Sequence, residues 1–227
     1  MHPAVLSGCE SVWNRVVFKI SMLLTGFFLS AVHYKTKPSV GDKEIRQESL
    51  SITGVDWRNQ TAPDFEMRTI TGQDFHLEDE VGKKVIVLNF FATGCGACRA
   101  EMPVLERYFA KHRSDPFLLV AVDAEEQADR VQAFLDELNV TFPSGVDQGP
   151  IQKKYGIEAF PTTVVVGADG KVQFYGTGAV VNAEVAFDNL LETNRELIEA
   201  GQTISPEAYR LAAQNQQGLP LLARLSQ

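Results

Sequence analysis

The chain has 227 residues, a hydrophobic fraction of 44% and a net charge of −8. This composition is typical of a globular protein, and the acidic balance argues against nucleic acid as the main partner, because phosphate binding needs a basic surface. Three cysteines are too few to staple a chain of this length, so a disulfide-rich scaffold is also excluded.

An uncharged apolar run near the N-terminus is the first recognisable element. Residues Ile20–Val32 follow Arg15 and Lys19 and contain no charged side chain. The run fits the apolar region of a secretory signal, and its extension from Val16 to Tyr34 approaches the roughly 20 residues that a membrane-spanning helix needs. We expect residues 1–35 to be a signal anchor or, as the alternative, a cleaved signal peptide. An ordinary buried helix is the least favoured interpretation.

The segment that follows is polar and shows no sustained periodicity. Residues 36–60 contain Pro38, Gly41 and several charges, which is typical of a linker. We therefore expect the folded domain to begin at about residue 61.

Three apolar runs predict the central strands of a sheet. Val85–Phe91 and Phe117–Val122 are almost continuously apolar, as strands buried on both faces are. Thr162–Val166 is a β-branched run, and the turn signal Asp169-Gly170 follows it. Lys171–Tyr175 then alternates and predicts the return strand of a hairpin.

Helical patterns fall between and after these strands. Ala97–Ala110 has apolar residues at helical spacing, and Asp123 with Glu126 forms a pair typical of a capping box for the next helix. A third helix is expected to open at Asn182, and Ser205-Pro206 is a good start for a short final helix.

Strands that alternate with helices indicate an α/β fold, and the hairpin makes the central β-sheet mixed. We expect one main domain at residues 61–201, with helices that flank the sheet. We expect residues 202–227 to form a short C-terminal helical extension, which either packs on the domain or contacts a partner.

The spacing of two cysteines is the strongest chemical signal. Cys95 follows a predicted buried strand at the start of a helix, and Cys98 lies one turn inside that helix. A helix N-terminus favours the thiolate, which is the attacking species in disulfide exchange, and a second thiol three residues on can resolve the mixed disulfide. A zinc site that uses His112 and a pair of inert structural thiols are the less favoured alternatives.

Five segments together resemble one known family. They are APDF (Ala62–Phe65), VLNFFATGCGACRAEMP (Val87–Pro103), the Phe142-Pro143 pair, FPTT (Phe160–Thr163) and ADGKVQFYGTG (Ala168–Gly178). From about residue 62 to residue 200 the chain resembles the TlpA/ResA-like thioredoxin-fold proteins, which are typically membrane-anchored, extracytoplasmic thiol–disulfide oxidoreductases.

The resemblance implies a thioredoxin fold and four site residues. Cys95 matches the family nucleophile, Cys98 the resolving cysteine, and Pro161 the cis-proline beside the disulfide. Glu101 matches a glutamate that tunes the protonation of the cysteines, and its spacing from Cys98 puts it on the same helical face. The alternative for Glu101 is an ordinary solvated glutamate.

The chain also departs from the family pattern around the cysteines. Gly94 stands where most members have Trp before the first cysteine, Phe91 ends the usual NFW as NFF, and Gly96-Ala97 replaces Gly-Pro. These residues influence reduction potential and partner docking, so the departures concern those two properties and not the activity class.

The resulting hypothesis is a periplasmic disulfide reductase tethered to the inner membrane. The resemblance implies protein thiol or disulfide clients, a membrane electron donor, and a role such as cytochrome c or copper-centre maturation. No cofactor is expected beyond the Cys95–Cys98 disulfide. The alternatives are a dithiol oxidant or isomerase, and a non-enzymatic Cu(I)-handling protein. Cys9 precedes the apolar run and would be cytoplasmic or removed, which leaves only the pair in the exported part.

Overall fold

The computed structural model describes residues 56–124 and 127–216. The predicted anchor at 1–35, Cys9, most of the predicted linker and Glu126 lie outside the described residues. Within the described ranges, no helix combines the length and apolarity that crossing a membrane requires.

The described part of the chain contains seven strands and six helices. The strands are β1 (Glu66–Arg68), β2 (Asp74–His76), β3 (Val85–Phe91), β4 (Phe117–Asp123), β5 (Ser144–Val146), β6 (Thr162–Val166) and β7 (Val172–Thr177). The helices are α1 (Leu77–Glu80), α2 (Gly96–Lys111), α3 (Ala128–Glu137), α4 (Pro150–Tyr155), α5 (Ala183–Glu199) and α6 (Pro206–Gln216).

Five of these strands form the predicted mixed sheet, in the order β5-β4-β3-β6-β7. β3 pairs in parallel with β4 and antiparallel with β6, so it lies at the centre of the sheet. All seven residues of β3 are buried, which explains why the sequence shows a continuous apolar run rather than alternation. β1 and β2 form a separate antiparallel pair.

The sheet separates two apolar cores because alternate residues of each strand point to opposite faces. On β3, Val85, Val87 and Phe91 pack in one core with residues of α2 and α5. Ile86, Leu88 and Phe90 pack in the other core with residues of α4 and α6. Helices therefore flank the sheet on both faces, as the sequence predicts.

The predicted cap at Asp123 is wrong. Asp123 is the last residue of β4, where it is buried and pairs with Phe91, and its carbonyl accepts a hydrogen bond from the N–H of Asp147. Pairing with strands on both sides therefore extends β4 to this residue. The next helix begins at Ala128, with Gln127 at its N-cap.

The two other predicted helix starts are confirmed. The Asn182 side chain accepts a hydrogen bond from the N–H of Val185 at 3.1 Å, which caps α5. The Ser205 hydroxyl accepts one from the N–H of Ala208 at 3.2 Å, and Pro206 is the first residue of α6. Both caps satisfy backbone donors that a helix start leaves free.

Helix α6 packs on the domain, which favours the first of the two roles expected for the C-terminal segment. Tyr209 is fully buried, and its hydroxyl donates a hydrogen bond to the carbonyl of Ala62 at 2.9 Å. At the other end, Trp57 belongs to the same core and stacks on Tyr155 and Tyr175, although the sequence pattern places it in the linker. A single aromatic residue carries no periodic signal, so the earlier start of the domain was not predictable.

Candidate active site

The turn from β3 into α2 places the two cysteines as the sequence predicts. Cys95 is the N-cap of α2 with an extended backbone, and its Sγ accepts a hydrogen bond from the N–H of Cys98 at 3.1 Å. The two residues form a disulfide across Cα atoms 5.2 Å apart. The sulfur of Cys95 therefore lies at the positive end of a helix, where a thiolate is stabilised.

The two cysteines differ in their access to solvent. Cys95 is partly exposed, whereas Cys98 has no exposed surface and packs among the apolar residues between the sheet and α2. A partner protein can therefore approach the first sulfur but not the second.

Pro161 lies at the start of β6, and the Phe160–Pro161 peptide bond is cis, as the resemblance implies. The carbonyl of Pro161 accepts a hydrogen bond from the N–H of Gly178 at 2.8 Å, which ties this turn to the end of β7. Phe160 and Cys95 are both partly buried against the core that contains residues of α2 and α5, and Phe160 also packs against the opposite core.

Glu101 is a buried carboxylate, which rules out the solvated alternative. Only 1% of its surface is exposed, one helical turn after Cys98. Its Oε1 accepts a hydrogen bond from the N–H of Val180 at 2.8 Å, and its Oε2 accepts one from Nδ2 of Asn89 at 3.1 Å. The side chain thus joins α2 to the central strand and to the loop after β7.

Burial raises the pKa of the Glu101 carboxyl above its ordinary value, because water no longer stabilises the charge. Hydrogen bonds from the N–H of Val180 and from the side chains of Asn89 and Thr163 oppose this rise without cancelling it. Such a carboxyl can exchange a proton closer to neutral pH than a surface glutamate can.

Asn89 is the site residue that sequence reasoning missed. It is the one polar residue in the run VIVLNFF of β3, and that contrast was the available signal. The Val180 contact had no such signal, because a backbone N–H leaves no trace in the sequence.

His112 does not join the cysteines. It caps the far end of α2, about 21 Å from Cys98 along the helix axis, and its Nδ1 lies 2.6 Å from a carboxylate oxygen of Asp115. The structure therefore gives no support to the zinc alternative with His112 as a ligand.

The residues that depart from the family pattern leave the disulfide open. Gly94, Gly96 and Ala97 are exposed, and a Cβ added at either glycine would meet no atom within 4 Å. The side of Cys95 where most family members carry Trp is therefore free for a partner.

A thioredoxin-type sheet and a disulfide with one partly exposed cysteine at a helix N-terminus define a thiol–disulfide oxidoreductase, and the comparisons agree. The AhpC/TSA family model matches residues 59–175. Thiol-disulfide oxidoreductase ResA of Bacillus thuringiensis subsp. konkukian is 31% identical over 160 residues, which cover 70% of this chain and 86% of that protein. The chain belongs to the AhpC/TSA family of thioredoxin-like proteins and, within it, to the ResA-like thiol–disulfide oxidoreductases.

Two further similarities support this assignment. Thioredoxin-like protein YneN of Bacillus subtilis is 38% identical over 129 residues, which cover 56% of this chain and 75% of that protein. The crystal structure of a thioredoxin-family thiol:disulfide interchange protein from Chlorobium tepidum matches with a TM-score of 0.55 at 26% identity, covering 62% of this chain and 99% of the other.

Proposed function

We propose that this chain is a disulfide reductase that acts on protein clients in the periplasm and is held at the inner membrane by residues 1–35. The observation that supports the reaction most directly is the pairing of a partly exposed Cys95 at a helix N-terminus with a fully buried Cys98. The first sulfur can meet a client, whereas the second can meet only the first.

Cys95 makes the first attack. In the reduced protein its thiolate attacks one sulfur of a client disulfide, and a bond forms between the two proteins. The electron pair of the broken client bond goes to the other client sulfur, which leaves as a thiolate and takes a proton from water.

Cys98 then resolves the mixed disulfide. Glu101 takes the proton of the Cys98 thiol, and the resulting thiolate attacks Sγ of Cys95. The Cys95–Cys98 disulfide forms, and the client sulfur leaves with the electron pair. The client has gained two electrons, and the protein has lost two.

The reaction also needs a surface that receives the client and a source of electrons. Pro161 forms a wall of the client site, and what supports this is the cis bond that the family pattern implies, together with the packing of Phe160 and Cys95 against one core. A dithiol donor in the membrane returns two electrons to the oxidised pair, and the proton on Glu101 returns to Cys98. No cofactor is needed, since the cysteines carry the electrons. Clients in cytochrome c or copper-centre maturation fit this chemistry.

The experiment is a trap for the mixed disulfide. Cys98→Ser keeps the nucleophile and removes the resolving thiol, so a client joined through Cys95 should accumulate as a heavier band on a non-reducing gel. The matched control, Cys95→Ser, should trap little because the remaining thiol is buried. The wild type should reduce insulin catalytically, and each variant should fall to the background rate.

Two results would contradict the proposal. If Cys98→Ser captures no protein while the wild type binds Cu(I) tightly and reduces nothing, the chain is a metal carrier instead. If equilibration with glutathione gives the Cys95–Cys98 couple a reduction potential of about −120 mV rather than about −270 mV, the chain is an oxidant and the proposed direction is wrong.

A further inference from the structure

A buried amide lies at the centre of the sheet, in a position that stability does not explain. Asn89 has no exposed surface, and its side chain points to the same face of β3 as Val87 and Phe91, towards α2. Its neighbours along the strand are all apolar. An apolar residue of similar shape would fill this place without taking a polar group out of water.

The amide makes hydrogen bonds through only one of its two ends. Nδ2 donates to Oε2 of Glu101 at 3.1 Å and to the Thr163 hydroxyl at 3.2 Å. Oδ1 is shielded from solvent and has no hydrogen-bond partner among the described residues. A buried carbonyl oxygen without a partner lowers stability. Only the hydrogen bonds from Nδ2 can therefore account for an asparagine at this position.

The donor end acts on a carboxylate whose other partners are few and neutral. The N–H of Val180 bonds Oε1, the Thr163 hydroxyl is a further donor from β6, and Cys98 lies one turn away on the same helix. Phe187 of α5 adds an apolar neighbour to this core. In the described part of the chain, no charged side chain contributes to the environment of Glu101.

We propose that Asn89 is a positioning residue for proton transfer: by holding Oε2, it keeps the Glu101 carboxylate ionised and oriented until that carboxylate takes the proton of Cys98. The inference rests on the role proposed above for Glu101 and names a second residue on which that role depends.

The direction of the effect follows from the hydrogen bond. A donor to the carboxylate lowers the pKa of Glu101, so its removal raises that pKa. If ionised Glu101 accepts the proton, the low-pH limb of the rate must then move to higher pH. The loss of one charge-assisted hydrogen bond corresponds to a shift of about one pH unit. The rate of Asn89→Leu should therefore be about tenfold below that of the wild type at a pH below the Glu101 pKa of both proteins, and nearly equal to it at a pH above both.

The test compares Asn89→Leu with a matched variant elsewhere. Asn194 is also a fully buried Asn, but its side-chain amide forms hydrogen bonds with Ala168 and Gln173 and reaches no residue of the candidate site. The step measured against pH is the release of a model thiol from a preformed mixed disulfide on Cys95, because only Cys98 must lose a proton in that step. We expect Asn89→Leu to move the acid limb upwards and Asn194→Leu to leave it in place.

A third and a fourth variant separate proton placement from packing. Glu101→Gln should remove the limb that Glu101 sets and leave a slower release that follows the ionisation of Cys98 itself, and adding Asn89→Leu to Glu101→Gln should then have no further effect on the pH profile. A limb that is the same in Asn89→Leu as in wild type, or that keeps its wild-type position in Glu101→Gln, would overturn the inference. A wild type that reduces nothing would instead overturn the proposed function.

A measurement on the wild type covers the case in which Asn89→Leu does not fold. In the labelled, oxidised protein, the side-chain amide protons of Asn89 should titrate with the same midpoint as the carboxyl carbon of Glu101, and those of Asn194 should not. If the Asn89 protons stay fixed while that carbon titrates, the amide does not hold the carboxylate and the inference is wrong.

Discussion

Glu101 shows how a single residue can look ordinary in the sequence and be unusual in the fold. Its spacing from Cys98 put it on the same face of the helix as that cysteine, which the structure confirms, and the structure shows that this face is buried. Its partners could not be predicted, because Asn89, Thr163 and Val180 come from other elements. A one-dimensional pattern gives the face that a side chain occupies, but not the groups it meets there.

The burial of Glu101 makes a prediction about stability and pH. The pKa of its carboxyl is raised in the folded state, so the stability that its protonated form contributes is present at low pH and lost as pH rises through the folded pKa. Gln does not ionise. We therefore expect the unfolding free energy of oxidised Glu101→Gln to increase relative to that of the oxidised wild type as pH rises from about 4 to about 8.

Urea unfolding of the two oxidised proteins at several pH values measures this difference. A constant offset between them across the range would mean that Glu101 titrates alike in the folded and unfolded chains, which would contradict its buried environment.

At the scale of elements, predictability followed length. The strands β3, β4 and β6 were predicted because their apolar runs are long and bounded by turns. The strands β1, β2 and β5 have three residues each, too few to show a period of two, and the sequence did not indicate them. β1 and β2 pair with each other across a short turn, and β5 pairs with β4.

Helix α6 carries a prediction of its own, because one side chain fixes it to the sheet. Tyr209 packs against Gly170 in the turn of the hairpin, where a positive φ and the close ring leave no room for a larger residue. We expect Tyr209→Ala to lower the unfolding free energy by about 3–5 kcal/mol. Tyr209→Phe keeps the ring and should cost about 1 kcal/mol, because the carbonyl of Ala62 loses its donor.

Denaturant unfolding measures both changes. The control is Leu211→Ala on the exposed side of the same helix, where 62% of the surface is accessible and a change below about 0.5 kcal/mol is expected. An equally small effect of Tyr209→Ala would show that α6 is not part of the cooperative core.

For the whole molecule, the two faces of the sheet have different roles. The disulfide and Glu101 belong to the core that contains residues of α2 and α5, whereas Trp57 and α6 pack on the opposite face. The two ends of the described chain thus lie on the face away from the candidate site.

The attachment of the chain to the membrane is the prediction at this scale. Cells that express the full chain should retain it in the membrane fraction, with the domain open to protease added from the periplasmic side. A version that lacks residues 1–35 should be soluble. If cells that express the full chain instead release a soluble product that starts after Ala31, the N-terminal segment is a cleaved signal and not an anchor.

The residues that hold Glu101 in place come from parts of the chain that are synthesised at different times. Cys95 and Cys98 come from one local segment, and Asn89 lies only 12 positions before Glu101. The bond from Val180 spans 79 positions, and that from Asn89 to Thr163 spans 74. A growing chain that ends before Val180 therefore contains both thiols but not every hydrogen-bond donor that holds the buried Glu101 carboxyl. The cysteine pair is synthesised early, and the buried environment of its neighbouring carboxyl is completed only when the last third of the domain has been made.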